Sequence, residues 1–197
     1  MEISTDFNNR FELSCRIINM VKHDNGTGFI RGYIKNGIDV YPGIFIPKKA
    51  FVDLKYHSRV HIIGHINSRY ITKNGRRRKV QQLIADKIEY EPTLTEKVFG
   101  EKGKFFEAPY IKIMLKGKIK DIIEENNWYR YKINVSDTER EKIIIVNMKK
   151  LERHPKVKVG DTVCMVCAYS TPKKVINEED VVYEDIIVSD LAIVEEK

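Results

Sequence analysis

The chain has 197 residues, 42% of them hydrophobic, and its 35 Lys and Arg against 28 Asp and Glu give a formal net charge of +7. That length predicts one large domain or two small ones with a globular core. No apolar run approaches the roughly 18 residues that cross a membrane. The polar, acidic residues 1–6 argue against a secretory signal, and three cysteines are too few for a disulfide framework. We therefore expect a cytoplasmic protein with no membrane partner.

The excess positive charge lies in one half of the chain. Residues 1–98 hold 17 Lys and Arg against 10 Asp and Glu, whereas residues 99–197 hold 18 of each kind. A charge asymmetry of this kind favours a polyanionic partner, because clustered cations attract phosphate at long range. A solvated basic surface is the alternative.

Alternation of apolar and polar residues at period two runs through the first half and predicts strands with one buried face. Phe11, Leu13, Cys15 and Ile17 form the apolar side of the first strand. Asn-Gly pairs at 36–37 and 74–75 predict hairpin turns. The five predicted strands are residues 11–17, 29–35, 40–46, 59–70 and 79–90, with a short helix expected within residues 47–55.

Residues 92–109 interrupt the alternation with prolines and glycines, which predicts a linker. The strand series then repeats, with residues 171–180 expected to form a polar loop. The predicted strands of this half are residues 111–123, 128–135, 142–148, 162–170 and 181–194. We therefore predict two domains, residues 1–91 and 110–197.

Five strands in about 90 residues fit a small β-barrel. An SH3-like barrel or a small sandwich has the same strand count. Long strands that contain a glycine, Gly64 in one and Gly117 in another, favour the oligonucleotide/oligosaccharide-binding (OB) fold, in which a glycine permits a strand to bend. The predicted fold class is all-β, with two tandem five-stranded OB-fold barrels.

The outward face of the second and third predicted strands combines aromatic and basic residues. If Ile30 and Ile34 point inward, the residues that point outward are Phe29, Arg31, Tyr33, Lys35, Tyr41 and Phe45. Aromatic rings stack on unpaired bases while cations follow the phosphates, so this pattern is typical of single-stranded nucleic-acid binding. Coverage by a second sheet or by an oligomer interface is the alternative.

The hairpin at residues 68–79 is strongly basic: six of its twelve residues are cationic and none is acidic. In OB folds the corresponding loop overhangs the ligand groove. A solvated loop would explain the same composition. The candidate binding residues here are Arg69, Tyr70, Lys73, Arg76, Arg77, Arg78 and Lys79.

The second half offers a weaker signal of the same type. Trp128, Arg130 and Lys132 fall on one face of a predicted strand and are candidate nucleic-acid contacts. In the opposite arrangement Trp128 lies in the core and Tyr129 and Tyr131 are exposed. Barrel packing or dimerisation is the competing role for this half.

Residues 58–70, the basic hairpin and residues 82–88 together resemble the fourth and fifth strands of bacterial single-stranded-DNA-binding proteins, and residues 9–18 are similar to the opening strand of that family. The resemblance covers about residues 8–90. It implies base stacking near Tyr33, Tyr41, Phe45 and Tyr70, and phosphate contact near Arg69. The chain departs from the family in having no tryptophan in residues 1–98 and no acidic tail with a hydrophobic tip.

Catalytic and metal sites are not expected. His57, His61 and His65 recur every four residues, but positions i and i+4 of a strand are about 13 Å apart. Cys164 and Cys167 have no second cysteine pair and are predicted to be small buried residues. We therefore predict a protein that is not an enzyme and has no cofactor, metal or small-molecule substrate.

The leading hypothesis is a single-stranded DNA-binding protein that acts in DNA replication, recombination or repair. One alternative is a replisome or primosome adaptor whose barrels bind protein, and another is an RNA-binding factor. Single-barrel relatives commonly assemble as tetramers, and by that analogy a homodimer of this chain would reach the same number of barrels.

Overall fold

A computed structural model describes residues 8–36, 38–73, 75–90, 110–136, 138–151, 154–176 and 179–194. Over these residues the protein is all-β: it has thirteen strands, and its single helical element is a 3₁₀ turn at Lys48–Ala50. No helix in the described segments is long and apolar enough to cross a membrane. The predicted linker, residues 92–109, lies outside the described residues.

The chain divides into two compact units. The N-terminal unit takes its described residues from Phe11–His65 and Gln82–Ile111, and the C-terminal unit takes its described residues from Met1–Arg10, Ile66–Gln81 and Lys112–Lys197. The two predicted domain ranges, residues 1–91 and 110–197, stay a prediction.

Six strands occupy the first half of the chain: β1 (Asn9–Lys22), β2 (Gly28–Asn36), β3 (Ile38–Val40), β4 (Gly43–Ile46), β5 (Arg59–Lys73) and β6 (Arg76–Tyr90). Strand β1 pairs antiparallel with both β2 and β5. Strand β2 also pairs antiparallel with β3 and β4, and β4 pairs in parallel with β6. Strand β2 therefore has β1 along one edge and β3 and β4 along the other.

The core of the N-terminal unit follows the predicted apolar faces. Phe11, Leu13, Cys15 and Ile17 are at most 1% exposed, and the alternating side chains of β2 and β5 join them. Gly64 is required by a close approach, since a Cβ at that position would overlap the carbonyl oxygen of Ile84. The predicted inward faces of these strands are therefore confirmed.

Two predictions for this half are wrong in detail. The third predicted strand is divided into β3 and β4, because Pro42 has no N–H for a strand ladder; its carbonyl accepts a hydrogen bond from the Gly32 N–H at 2.9 Å. The helix expected within residues 47–55 is only the 3₁₀ turn at Lys48–Ala50, and the backbone is already extended at Phe51 (φ −71°, ψ 128°).

Seven strands occupy the second half: β7 (Tyr110–Glu125), β8 (Trp128–Asn134), β9 (Ile143–Lys149), β10 (Thr162–Ser170), β11 (Lys173–Ile176), β12 (Glu179–Val182) and β13 (Asp185–Ile193). Strand β7 pairs with β8, β8 with β9, β9 in parallel with β13, β13 with β10, and β10 with β7 again. This circuit is a closed five-stranded barrel.

The polar loop predicted for residues 171–180 is a β-hairpin formed by β11 and β12. Each strand has only four residues, which is too short for period-two alternation to be evident, although each contains β-branched residues that favour strands. The last predicted strand accordingly begins later, at Asp185.

The cysteines are free and buried. Cys15 belongs to the N-terminal unit, and Cys164 and Cys167 lie in β10 of the C-terminal unit. Burial raises the pKa of the Cys15 thiol to about 12, and it also raises the pKa values of the other two. The prediction that Cys164 and Cys167 are small buried residues is confirmed.

Candidate nucleic-acid interface

The outward face of β2 and its neighbours forms the first part of the candidate interface, which we call the aromatic face (Phe29, Arg31, Tyr33, Tyr41 and Phe45). Ile30 and Ile34 lie in the core at no more than 1% exposure, so the alternate side chains of β2 point away from it. The residues of the aromatic face are all half-buried, so each keeps part of its surface exposed.

Two aromatic pairs organise this face. Phe29 lies opposite Phe45 in the β2–β4 pairing, and the Arg31 guanidinium carbon is 5.8 Å from the centroid of the Phe29 ring. The Tyr33 and Tyr41 ring centroids are 5.4 Å apart with an interplanar angle of 31°. The contact between the Tyr33 and Tyr41 rings restrains both of them.

Hydrogen bonds restrain the same side chains. Arg31 Nη1 donates to the carbonyl oxygen of Tyr41 at 3.1 Å, and the Tyr33 hydroxyl donates to Asp39 Oδ1 at 3.1 Å. Partial desolvation raises the pKa of Tyr33, and the Asp39 carboxylate adds to that rise. The Tyr33 hydroxyl therefore stays protonated at neutral pH. Lys35, at the end of β2, is exposed.

The basic hairpin continues strands β5 and β6. Arg69 is exposed, and Tyr70 is 58% exposed. Because they are consecutive residues of a strand, their side chains point to opposite faces. Lys79 is half-buried. The side chains of Lys73, Arg76, Arg77 and Arg78 lie outside the described part of the structure.

The C-terminal unit contains a cavity of about 540 Å³, which we call the β8–β9 groove. It is lined by Lys79 and Arg130 together with Gln81, Asn147 and Tyr183, and the acidic Glu184 and Asp185 also contribute. The structure thus brings together two predicted residues that are 51 positions apart in the sequence.

The cations near this groove are unequally neutralised. Arg130 Nη1 lies 3.1 Å from Glu125 Oε1, and Lys132 Nζ lies 2.5 Å from Asp121 Oδ2. Burial lowers the pKa of Lys79, and the positive charge of Lys132 lowers it further.

Trp128 is 39% exposed, whereas Tyr131 is 2% exposed. The arrangement with Trp128, Arg130 and Lys132 on the outward face is therefore the observed one, and the arrangement with Trp128 in the core is wrong. Whether these side chains contact nucleic acid stays a prediction.

Two carboxamides have a role that the sequence pattern did not indicate. Gln81 Nε2 donates to the Ile145 carbonyl at 3.0 Å, and Gln81 Oε1 accepts from the Ile145 N–H. Asn9 makes the same two hydrogen bonds with Ile66: its Nδ2 donates to the Ile66 carbonyl at 2.7 Å, and its Oδ1 accepts from the Ile66 N–H at 3.0 Å. Each side chain substitutes for a neighbouring strand, and no periodic signal marks such a residue.

Two histidines of β5, His61 and His65, contact carboxylates of the N-terminal unit. His65 Nδ1 is 2.8 Å from Asp86 Oδ2, and His61 Nε2 is 3.5 Å from Glu12 Oε1. Among the described residues, no group of three or more His, Cys, Asp or Glu could hold a metal ion.

The sequence matches no protein-family model and no curated protein at a significant level. Among solved structures, it is similar to the wild-type single-stranded DNA binding protein from Thermus aquaticus, with 12% identity and a TM-score of 0.62 over 96% of this chain and 94% of that chain. For a deletion variant of that protein the identity is 13% and the TM-score 0.64, over 96% and 95% of the two chains.

At these identities the likeness shows a shared fold. The resemblance noted over residues 8–90 is therefore confirmed at the level of the fold, and the likeness continues through the second half of the chain.

Proposed function

We propose that this chain is a non-catalytic single-stranded DNA-binding protein built from two tandem five-stranded OB-fold barrels. The aromatic face carries the proposal, because it presents half-exposed rings interleaved with a cation on the outer surface of one sheet. Each base–ring stack is worth roughly 1–3 kcal/mol, so a few rings suffice for useful affinity. Similarity in fold to a protein named for single-stranded DNA binding supports the proposal.

Tandem barrels are supported by the strand pairings of the first half, which follow the scheme of the closed barrel. In each half the first strand has two antiparallel partners: β1 pairs with β2 and β5, and β7 pairs with β8 and β10. Each half also has one parallel pair, β4 with β6 and β9 with β13. In this scheme β3 is an extra edge strand, and the β11–β12 hairpin is an insertion.

In the proposed complex, bases stack on Tyr33, Tyr41 and the Phe29–Phe45 pair, while Arg31 and the basic hairpin follow the phosphates. On the C-terminal unit, Lys79, Arg130 and Lys132 are proposed as a separate set of phosphate contacts. Cytoplasmic location, a role in replication, recombination or repair, and a homodimer remain parts of the proposal. The absence of catalytic activity is also part of the proposal.

Fluorescence anisotropy with a labelled oligo-dT strand tests the proposal. Affinity should fall linearly on a log–log plot as salt rises, because phosphate contacts release counterions. Tyr33→Ala should weaken binding by about 1 kcal/mol or more, and Arg31→Ala should weaken it further. Tyr56→Ala is the matched control, since Tyr56 is a 51% exposed tyrosine outside the aromatic face.

Absence of binding at low salt would overturn the proposal. If Tyr33→Ala and Tyr56→Ala weakened DNA binding equally, the aromatic face would not be the binding site. Competition with an RNA strand of matched sequence shows whether the 2′-hydroxyl is discriminated.

A further inference from the structure

A second cavity of the C-terminal unit, of about 640 Å³, lies apart from the residues proposed above, and we call it the barrel-end pocket. It is formed by the ends of β7, β8 and β9 and by residues 150, 151 and 154–158 of the connection to β10. Its volume is within the range of small-ligand sites, roughly 300–1,000 Å³.

The inner wall of the pocket is apolar and reaches the barrel core. Tyr131 and Met148, which line it, are 2% and 1% exposed. Ile122 and Val157 complete the aliphatic wall. The rings of Tyr129 and Tyr131 are stacked, with centroids 5.9 Å apart and an interplanar angle of 27°. A ligand with a flat or aliphatic body would be desolvated against this wall.

The mouth of the pocket is cationic. Lys150 Nζ is 5.1 Å from the centroid of the Tyr129 ring and 2.6 Å from Glu124 Oε1. Lys156 and Lys158 are exposed and line the same cavity. Among the described lining residues, three lysines against one glutamate leave two positive charges in excess, so the pocket should select an anion.

His154 supplies an independent sign of a ligand. Its Nδ1 atom is buried in the pocket wall and has no hydrogen-bond partner among the described residues. Its backbone N–H donates to the Leu151 carbonyl at 3.0 Å, and Leu151 also lines the pocket. A buried polar atom without a partner among the described residues is a position that a ligand oxygen or an ordered water would satisfy.

We propose that the barrel-end pocket binds a terminal nucleotide through its phosphate monoester, a site distinct from the aromatic face and the β8–β9 groove. A phosphate monoester carries about −1.5 to −2 charges at pH 7, which matches the excess of two lysines; an internal phosphodiester or a carboxylate carries only one. The base packs on the apolar wall, and His154 Nδ1 forms a hydrogen bond with the sugar or the base.

The nucleotide has two sources, the phosphorylated end of a DNA strand or a free nucleoside monophosphate. The first source rests on the proposed DNA-binding function, whereas the second does not. An acidic, apolar peptide is a different class of ligand, and the excess of two charges favours the phosphate monoester.

The experiment uses the full chain and labelled dT oligonucleotides that carry a 5′-phosphate, a 3′-phosphate or neither, together with free dTMP. We expect one phosphorylated strand to bind about tenfold more tightly than the unphosphorylated strand at low salt, as a few partly exposed charge pairs allow. We also expect calorimetry to detect dTMP binding.

The Lys156→Ala/Lys158→Ala double variant should lose the phosphate preference and dTMP binding while keeping its affinity for the unphosphorylated strand. His154→Phe should weaken dTMP binding by a smaller factor. A Lys55→Ala/Lys142→Ala variant is the matched control, since both lysines are exposed and neither lines the pocket.

Equal affinity for all three strands with no dTMP binding would overturn the inference, as would a preference that survives in the Lys156→Ala/Lys158→Ala variant. Binding of an acidic, apolar peptide in place of dTMP would also overturn it. Failure of the unphosphorylated strand to bind contradicts only the proposed DNA-binding function, because dTMP tests the pocket separately.

Discussion

The contact between Gln81 and Ile145 should contribute measurably to the stability of the C-terminal unit. Ile145 is paired with Lys132 of β8 on one side of β9, and the Gln81 carboxamide meets both of its main-chain groups. Replacement of Gln81 by Leu keeps a side chain of similar size but removes both hydrogen bonds. The N–H and the carbonyl of Ile145 then lose their partners in a part-buried position.

The size of the effect follows from those two groups. A typical hydrogen bond contributes about 0.5–1.5 kcal/mol net, and a buried group left without a partner costs about 1–3 kcal/mol. Because the site is only part-buried, we expect Gln81→Leu to lower the free energy of unfolding by about 2 kcal/mol. With a urea dependence of roughly 2 kcal/mol per molar, the unfolding midpoint should fall by about 1 M.

Urea unfolding followed by tryptophan fluorescence measures this change, because Trp128 is the only tryptophan of the chain and lies in the C-terminal unit. Gln82→Leu is the control for the type of substitution, since Gln82 belongs to the N-terminal unit and makes no side-chain hydrogen bond in the described part of the structure. Gln81→Glu keeps an acceptor but loses the donor, so an intermediate loss is expected. Equal midpoints for Gln81→Leu and Gln82→Leu would refute the reasoning.

Two further predictions concern single positions. Gly64→Ala should lower the melting temperature of the protein, because its new Cβ overlaps the Ile84 carbonyl oxygen and the backbone must move; an unchanged melting temperature by calorimetry would contradict this. Lys132→Gln should raise the pKa of Lys79 part of the way to its usual value, since burial is the larger cause of the depression and the Lys132 charge the smaller one. Carbon-13 NMR of the lysine side chains measures that pKa, and no change would show that Lys132 does not act on Lys79.

The period-two pattern predicted most of the fold because a barrel strand has one buried face. It placed Phe11, Leu13, Cys15 and Ile17 in the core, and it identified Gly64 within a long strand. It gave no warning of the division at Pro42, since alternation continues on both sides of that residue. Strands as short as β11 and β12 also give too few periods to be recognised.

The candidate site could be predicted where its residues follow one face of a strand. It could not be predicted where it depends on contacts between strands that are distant in the sequence. Phe29, Arg31, Tyr33 and Phe45 share one side of β2 and β4, so their exposure follows from the pattern, whereas Tyr41 lies in the break between β3 and β4. The meeting of Lys79 with Arg130 depends on how distant strands pack, and local alternation carries no such information. Pairing of Gln81 with Ile145 is equally non-local.

The three buried thiols can be used to measure local unfolding of the protein. A thiol reacts with a labelling reagent only as the exposed thiolate, so Cys15, Cys164 and Cys167 should become reactive only when their surroundings unfold. Cys15 belongs to one compact unit, and the other two belong to the second. The rate at which each peptide acquires label would therefore give the opening kinetics of each unit separately, with no residue added to the protein.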